Sequence, residues 1–189
     1  MKMTFKVGVE NLEDKIYRII DISDEMTLAD LAYTILASFD SLAYHLYNIK
    51  HNSDIYDCAV IQDETTYELH DATKTLLKDI DFSNPKMIME YDFGSTNTFI
   101  ITYLNKSEES IKEPSIKEGK GTGIIDDISS YDLLEVVENI DKDNNYEYYY
   151  TAGYEKEEPY DYKIYDINED NKTLISKFKK IKSGYEEND

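Results

Sequence analysis

Four residues in this chain have the types and setting for chemistry: Tyr91, Asp92, Asp126 and Asp127. Asp126 and Asp127 are neighbouring carboxylates that follow a glycine-rich stretch, Gly119-Lys-Gly-Thr-Gly123, and precede a helical pattern. Such a loop could bring a ligand to the two carboxylates, which suit general acid–base work or a divalent cation. Tyr91 and Asp92 would add a phenol and a third carboxylate from another segment. The chemistry expected of such a dispersed site is metal-assisted attack on a phosphate ester. Helix capping or plain exposure is the simpler account of Asp126 and Asp127, so they stand as candidates for both catalysis and metal binding.

Other motifs are incomplete. Gly119, Gly121 and Gly123 could expose backbone N–H groups to a phosphate, but no Gly-Lys-Ser/Thr follows a four-residue spacer, and Ile124 stands where a dinucleotide loop needs glycine. A flexible loop is expected there. Asp141, Asp143 and Asn145 have the spacing of the first calcium-loop ligands, yet Tyr146 replaces the turn glycine and Ala152 the closing glutamate. His45 and His51, with Asp54, Asp57 or Cys58, match no metal-ligand spacing. On one ideal strand the two histidines would lie roughly 20 Å apart. They and His70 are expected to be independent. No Gly-x-Ser-x-Gly, Cys-x-x-Cys or His-Glu-x-x-His occurs.

The elements that must position these residues come from a chain whose charge narrows its partners. Forty acidic against 20 basic residues give a formal charge of −20, which repels phosphate backbones, so direct nucleic-acid binding is not expected. No apolar run approaches the roughly 18 residues of a membrane span. The single Cys58 cannot form an intramolecular disulfide, and no signal-like start is present, so a cytoplasmic location is expected. No cofactor is expected, and the partner class left open is another protein.

Met3, Phe5, Val7 and Val9 alternate with polar residues as in a half-buried strand, and a turn at Asn11–Asp14 leads to the β-branched run Ile16–Ile22, giving a hairpin. Leu28, Leu31, Ala32, Ile35, Leu36 and Phe39 share one face of a helix. It is capped by Thr27 with Asp30 and bounded near residues 27 and 39. Residues 43–50 read as a third strand, the following stretch as a polar loop, and 65–68 as a further strand. Leu76, Leu77 and Ile80 suggest a short helix, and Lys86–Phe93 with Thr98–Leu104 a second hairpin turning at Gly94–Asn97. Lys106–Thr122 has the composition of an exposed connection. Ser129 with Asp132 caps a second helix ending near Asp141; Tyr160–Ile167 reads as a strand; and Leu174, Ile175, Phe178 and Ile181 lie on a basic helix that docks on the domain and ends near Gly184.

The expected class is α+β: a mixed or antiparallel sheet with a central amphipathic helix packed on it, in the β-grasp-like order strand, strand, helix, strands, plus C-terminal helices. Residues 1–145 form the main domain. Residues 146–189 form a tyrosine-rich acidic extension packed on it.

Phe5-Lys-Val, Tyr17-Arg-Ile-Ile-Asp-Ile, Met26-Thr-Leu-Ala-Asp-Leu, His45-Leu-Tyr and Met89-Glu-Tyr-Asp-Phe-Gly resemble the plasmid pRiA4b ORF-3-like family over about residues 3–140. Tyr91-Asp92-Phe93-Gly94 is the most specific piece. Ser95 stands where the family has Asp, and Asn97-Thr98-Phe99 where it has Trp and often His. The family's Gly-x-x-x-Cys-Pro-Pro-Glu-Asp segment is reduced to Gly121–Ser130, with Asp126 and Asp127 near its acidic pair. The resemblance implies an α+β fold and an association with plasmids and mobile elements, but no reaction. Taken together, the sequence leads to a non-enzymatic protein-interaction module whose tyrosine-rich edges suit a partner. The alternative is the metal-assisted phosphoesterase.

Overall fold

Alternation and capping account for most of the architecture in the computed structural model, which describes residues 1–58, 69–151 and 157–187. Strands β1 (Lys2–Val9) and β2 (Tyr17–Ser23) form the first hairpin, and α1 (Leu28–Ser38) follows. Next come β3 (Tyr47–His51), β4 (Asp54–Asp57), β5 (Leu69–Asp71) and a 3-10 turn at Leu77–Asp79. Strands β6 (Lys86–Tyr91), β7 (Asn97–Ser107) and β8 (Ser115–Lys120) complete the main sheet. Helix α2 (Ser130–Lys142), the small hairpin of β9 (Tyr148–Thr151) and β10 (Glu157–Tyr160), and α3 (Ile167–Glu186) close the chain. The eight-stranded order is β5-β4-β3-β6-β7-β1-β2-β8, antiparallel throughout except for the β4–β5 pair. This is the α+β class expected.

Met3, Phe5, Val7 and Val9 are buried as their alternation requires, with Phe5 edge-on to Tyr103 at 5.6 Å. The capping box of α1 is present, with Thr27 accepting from the Asp30 amide and Asp30 accepting from the Thr27 amide. Every residue of α1 is buried, beyond its apolar face. The reason is a second cover: Tyr185 of α3 stacks on Tyr33 at 5.3 Å, and Lys182 donates to Asp30 at 2.8 Å. Helix α3 docks through Leu174, Phe178 and Ile181, which join the same core as β1 and α1. It is longer than its apolar pattern indicates because Asp166 caps it early, accepting from the Asn168 amide at 2.8 Å.

Helix α2 repeats the box with Ser129 and Asp132. Replacing Ser129 by Ala is expected to cost about 1 kcal/mol, the usual worth of an N-cap hydroxyl, read as a lower urea midpoint at constant slope.

Several segments depart from the sequence reading. Residues 43–46 are not strand: Ala43 takes a left-handed φ of 56°, and pairing begins at Tyr47. Within the supposed polar loop, β4 pairs with β3 through a tight turn at Asn52, whose φ is 55°. The strand expected at 65–68 lies outside the described residues. The exposed connection at 106–122 contains β8, paired to β2. As an edge strand it buries only Ile116 and so shows no apolar alternation. Its open edge is occupied by the Asn171 amide, which donates to the Ile116 carbonyl at 2.8 Å and accepts from its N–H at 2.9 Å. The strand expected over 160–167 ends at Tyr160. Beyond it the Asp161 carboxylate takes the Lys163 amide in a turn that overrides the β preference of the tyrosines.

Candidate functional site

Register brings the first two site residues together. Strands β3 and β6 are antiparallel with Tyr47 opposite Tyr91, so the residues just before β3 and just after β6 share one end of the sheet. These are His45 and Asp92, and the Asp92 amide donates to the Leu46 carbonyl at 3.0 Å. The segment 126–130 crosses the same end, tied to the β6–β7 turn. Ser95 donates to the Asp127 carbonyl at 3.0 Å, Asn97 to the Ile128 carbonyl at 2.9 Å, and the Thr98 amide to the Ser130 hydroxyl at 2.8 Å.

The local backbone is strained. Asp40, Ala43, Asp92, Thr96 and Asp127 all have positive φ, between 56° and 68°. Aspartate tolerates this region, but Ala and β-branched Thr rarely adopt it. Such conformations persist only where the surroundings enforce them, and they concentrate at functional sites.

His45 stands between two carboxylates. Its Nε2 lies 3.0 Å from an Asp127 oxygen and its Nδ1 3.6 Å from an Asp92 oxygen. Within this trio, one ligand atom from each residue can be chosen so that all three lie within 4.8 Å of one another. Asp92 is buried, whereas 56% of the Asp127 side chain is exposed, so the trio opens to solvent on the Asp127 side. Tyr44 donates to the other Asp127 oxygen. That bond and His45 hold the Asp127 carboxyl below the usual carboxylate range against an opposing effect of burial. Burial and the nearby carboxylates push the Tyr44 and Tyr91 hydroxyls upward, so both phenols act here as hydrogen-bond donors and not as bases.

The four residues singled out by sequence gather here but do different things. Asp126 receives Tyr91 and Ser41 on one oxygen, both at 2.9 Å, and the Leu42 amide on the other at 2.9 Å. It is a staple for the 40–46 loop. Asp127, with its left-handed backbone, turns the other way toward His45. The adjacent carboxylates therefore do not work as a pair. The sequence reading missed His45, weighed only with His51, Asp54, Asp57 and Cys58. It also missed Tyr44, Ser41 and Tyr185, whose hydroxyl donates to the His45 carbonyl. The available signal was the His45-Leu-Tyr segment.

The remaining motifs are structural. His51 Nε2 lies 2.9 Å from the Asn84 carbonyl, and His70 lies 3.9 Å from Asp54. The glycine stretch is ordered and holds no phosphate cradle: the Thr122 amide donates to the Tyr162 carbonyl at 2.8 Å and the Ile124 amide to the Phe39 carbonyl at 2.9 Å. Asp141 is taken by Lys15 at 2.8 Å, Lys163 at 3.2 Å and Tyr162 at 2.5 Å. Burial pushes the Cys58 thiol up to about 11, which removes it as a nucleophile.

The His45, Tyr91–Gly94 and Asp126–Asp127 segments converge on this one site, and a model of plasmid pRiA4b ORF-3-like proteins matches residues 2–169. The chain belongs to the plasmid pRiA4b ORF-3-like family. The family match runs past the limit near residue 140 drawn from the motifs, through the β9 and β10 strands and into α3. A search of curated proteins gives no match. Among solved structures, the fold is similar to the crystal structure of the protein of unknown function MM3350 from Methanosarcina mazei Go1. The TM-score is 0.64 with 20% identity over 77% of this chain and 84% of that one. At that identity the likeness shows the fold alone. Among the described residues, no helix is long and apolar enough to cross a membrane.

Proposed function

We propose that this family member binds a divalent transition-metal cation between His45 Nε2 and Asp127, with Asp92 orienting the imidazole. The observation that carries the reading is the placement of one ring nitrogen against an exposed carboxylate and the other against a buried one. An imidazole has one nitrogen for a metal and one for an orienting partner, and the buried Asp92 carboxylate, 3.6 Å from Nδ1, is the group that faces the second. A mixed nitrogen and oxygen set favours zinc, manganese or iron over calcium. Because the site is open on the Asp127 side, a bound cation would keep solvent ligands. Activation of a metal-bound water toward an anionic ester is the reaction class it would serve. On a chain of charge −20, such a cation would also supply the positive field that an anionic substrate needs.

Calorimetry with Zn²⁺ and Mn²⁺ on chelator-stripped protein tests this. Asp127→Asn is expected to abolish the heat, and Asp92→Asn to weaken affinity about 10- to 100-fold as a lost orienting partner. Affinity should fall on acidification, since protons and cation compete for the same lone pairs. Equal binding by wild type and Asp127→Asn would refute the assignment.

A second reading, a protein-interaction module, is favoured by the exposed apolar rim beside this site: Leu42, Tyr44, Leu46 and Phe93 are each about half exposed, from 48% to 54%. A plasmid-associated, cytoplasmic setting belongs to the same proposal.

A further inference from the structure

The loop between α1 and β3 carries His45, and α3 holds it near both ends. Lys177 donates to Asp40, the residue after the α1 cap at Phe39, and Tyr185 donates to the His45 carbonyl. The two α3 residues lie eight positions apart, about 12 Å along the helix axis. The Lys177 pair is exposed and is the weaker tie. Tyr185 is seated more firmly: its ring stacks on Tyr33 at 5.3 Å and stands edge-on to Tyr47 at 5.4 Å, and both of those residues are fully buried. This aromatic seat fixes the direction of the hydroxyl. Burial pushes that hydroxyl upward, so it stays protonated and remains a donor.

The first half of the loop has separate anchors. The Ser41 amide donates to the Leu36 carbonyl at 3.0 Å, and Asp126 takes the Ser41 hydroxyl and the Leu42 amide. Ala43 then turns the chain with its left-handed φ of 56°, a conformation that alanine keeps only under constraint. On the far side of that turn the constraint comes from Asp92, whose amide donates to the Leu46 carbonyl at 3.0 Å, and from Tyr185 on His45 itself.

We propose that the C-terminal end of α3 is a latch on the metal site, with Tyr185 as a positioning residue that sets His45 through its backbone. In so far as it regulates cation binding, the latch rests on the metal site proposed above; the setting of His45 does not require the cation. With Tyr185 seated, Nε2 is held 3.0 Å from Asp127. Release of the last turns of α3 lowers the fraction of chains in which the site is formed, and apparent affinity falls with that fraction.

The test uses Tyr185→Phe, which keeps the ring and removes only the hydroxyl, in the full chain. The protein has three histidines, so their ring signals are readily separated by NMR of metal-free, nitrogen-labelled protein. The His45 signals are expected to move or broaden, while His51, held at the Asn84 carbonyl, and His70, beside Asp54, stay in place as internal references. Zn²⁺ affinity by calorimetry is expected to fall about 3- to 10-fold, the size of one intramolecular hydrogen bond. Asp166→Ala removes the N-cap at the opposite end of α3 and costs comparable stability. It is expected to leave the His45 signals in place and the affinity within about twofold, as distant sites act independently. Unchanged His45 signals and equal affinity in Tyr185→Phe would overturn the latch and leave the metal site standing. Equal changes in Tyr185→Phe and Asp166→Ala would overturn it too, by assigning the effect to helix stability at large. Shifted His45 signals in a protein whose wild type takes no Zn²⁺ would uphold the setting of His45 by Tyr185 and refute the metal assignment instead.

Discussion

Gly123→Ala is expected to destabilise the protein by about 3 kcal/mol or more, at the upper end of what overpacking a closed site costs, with a strained hydrogen bond added. A Cβ at this position would lie 1.8 Å from the carbonyl oxygen of Phe39 and 2.2 Å from its carbon, both backbone atoms that no rotamer change can move. The same carbonyl accepts the Ile124 amide at 2.9 Å, and the Gly123 carbonyl accepts the Tyr160 hydroxyl at 2.8 Å, so any shift strains contacts on both sides. For a chain of this size the melting temperature should fall by roughly 6 to 12 °C. Because Asp127 lies four residues on, the binding heat proposed for His45 and Asp127 should fall as well when measured below the transition. A melting temperature within about 2 °C of wild type would mean that Gly123 is not closed against the Phe39 backbone.

The second large effect concerns Arg18, which is fully buried at the start of β2. Its guanidinium donates to four backbone carbonyls: Nε to Ser38 at 3.0 Å, and Nη1 to Tyr17 at 2.9 Å, Lys120 at 2.9 Å and Gly121 at 2.8 Å. It lies between the rings of Phe39 and Tyr165, 4.9 and 4.0 Å from their centroids, and Asp170 stands 3.5 Å from Nε. One side chain thus joins the end of α1, the edge strand β8 and helix α3. Arg18→Met keeps the stem but strands four carbonyls and the half-buried Asp170 carboxylate, and is expected to cost about 3 to 5 kcal/mol. Its pH dependence is diagnostic. Burial already holds the Asp170 carboxyl above the usual range even with Arg18 opposing, and loss of Arg18 would raise it further. The folded state then binds a proton that the unfolded chain releases near its ordinary value of about 3.9. Stability of the variant should therefore rise as pH falls from neutrality toward that value, while stability gained from depressed carboxylates such as Asp141 is lost only at lower pH. Arg18→Met with Asp170→Leu should recover part of the loss. If Arg18→Met stays within about 1 kcal/mol of wild type, Arg18 does not anchor these three elements.

What the sequence by itself determined is what depends on near neighbours. The two capping boxes, Thr27 with Asp30 and Ser129 with Asp132, close over three residues, and the helix periods and hairpins that follow rest on local spacing. So does the docked helix α3, whose Leu174, Phe178 and Ile181 stripe requires a cover. Only the tertiary structure decided the rest. His45 meets Asp127 across 82 positions and Ser41 meets Asp126 across 85, contacts set by sheet register and by left-handed turns at Ala43 and Asp127 that no apolar period announces. Tyr91, Asp92, Asp126 and Asp127 were legible as candidates because polar side chains of those types stood beside turns. Their division into a staple, Asp126, and two carboxylates on His45 was not legible, because it turns on the direction of one backbone angle. The edge strand β8 was hidden for a related reason: its partner is β2 on one side and the Asn171 amide on the other, so its own residues need not alternate.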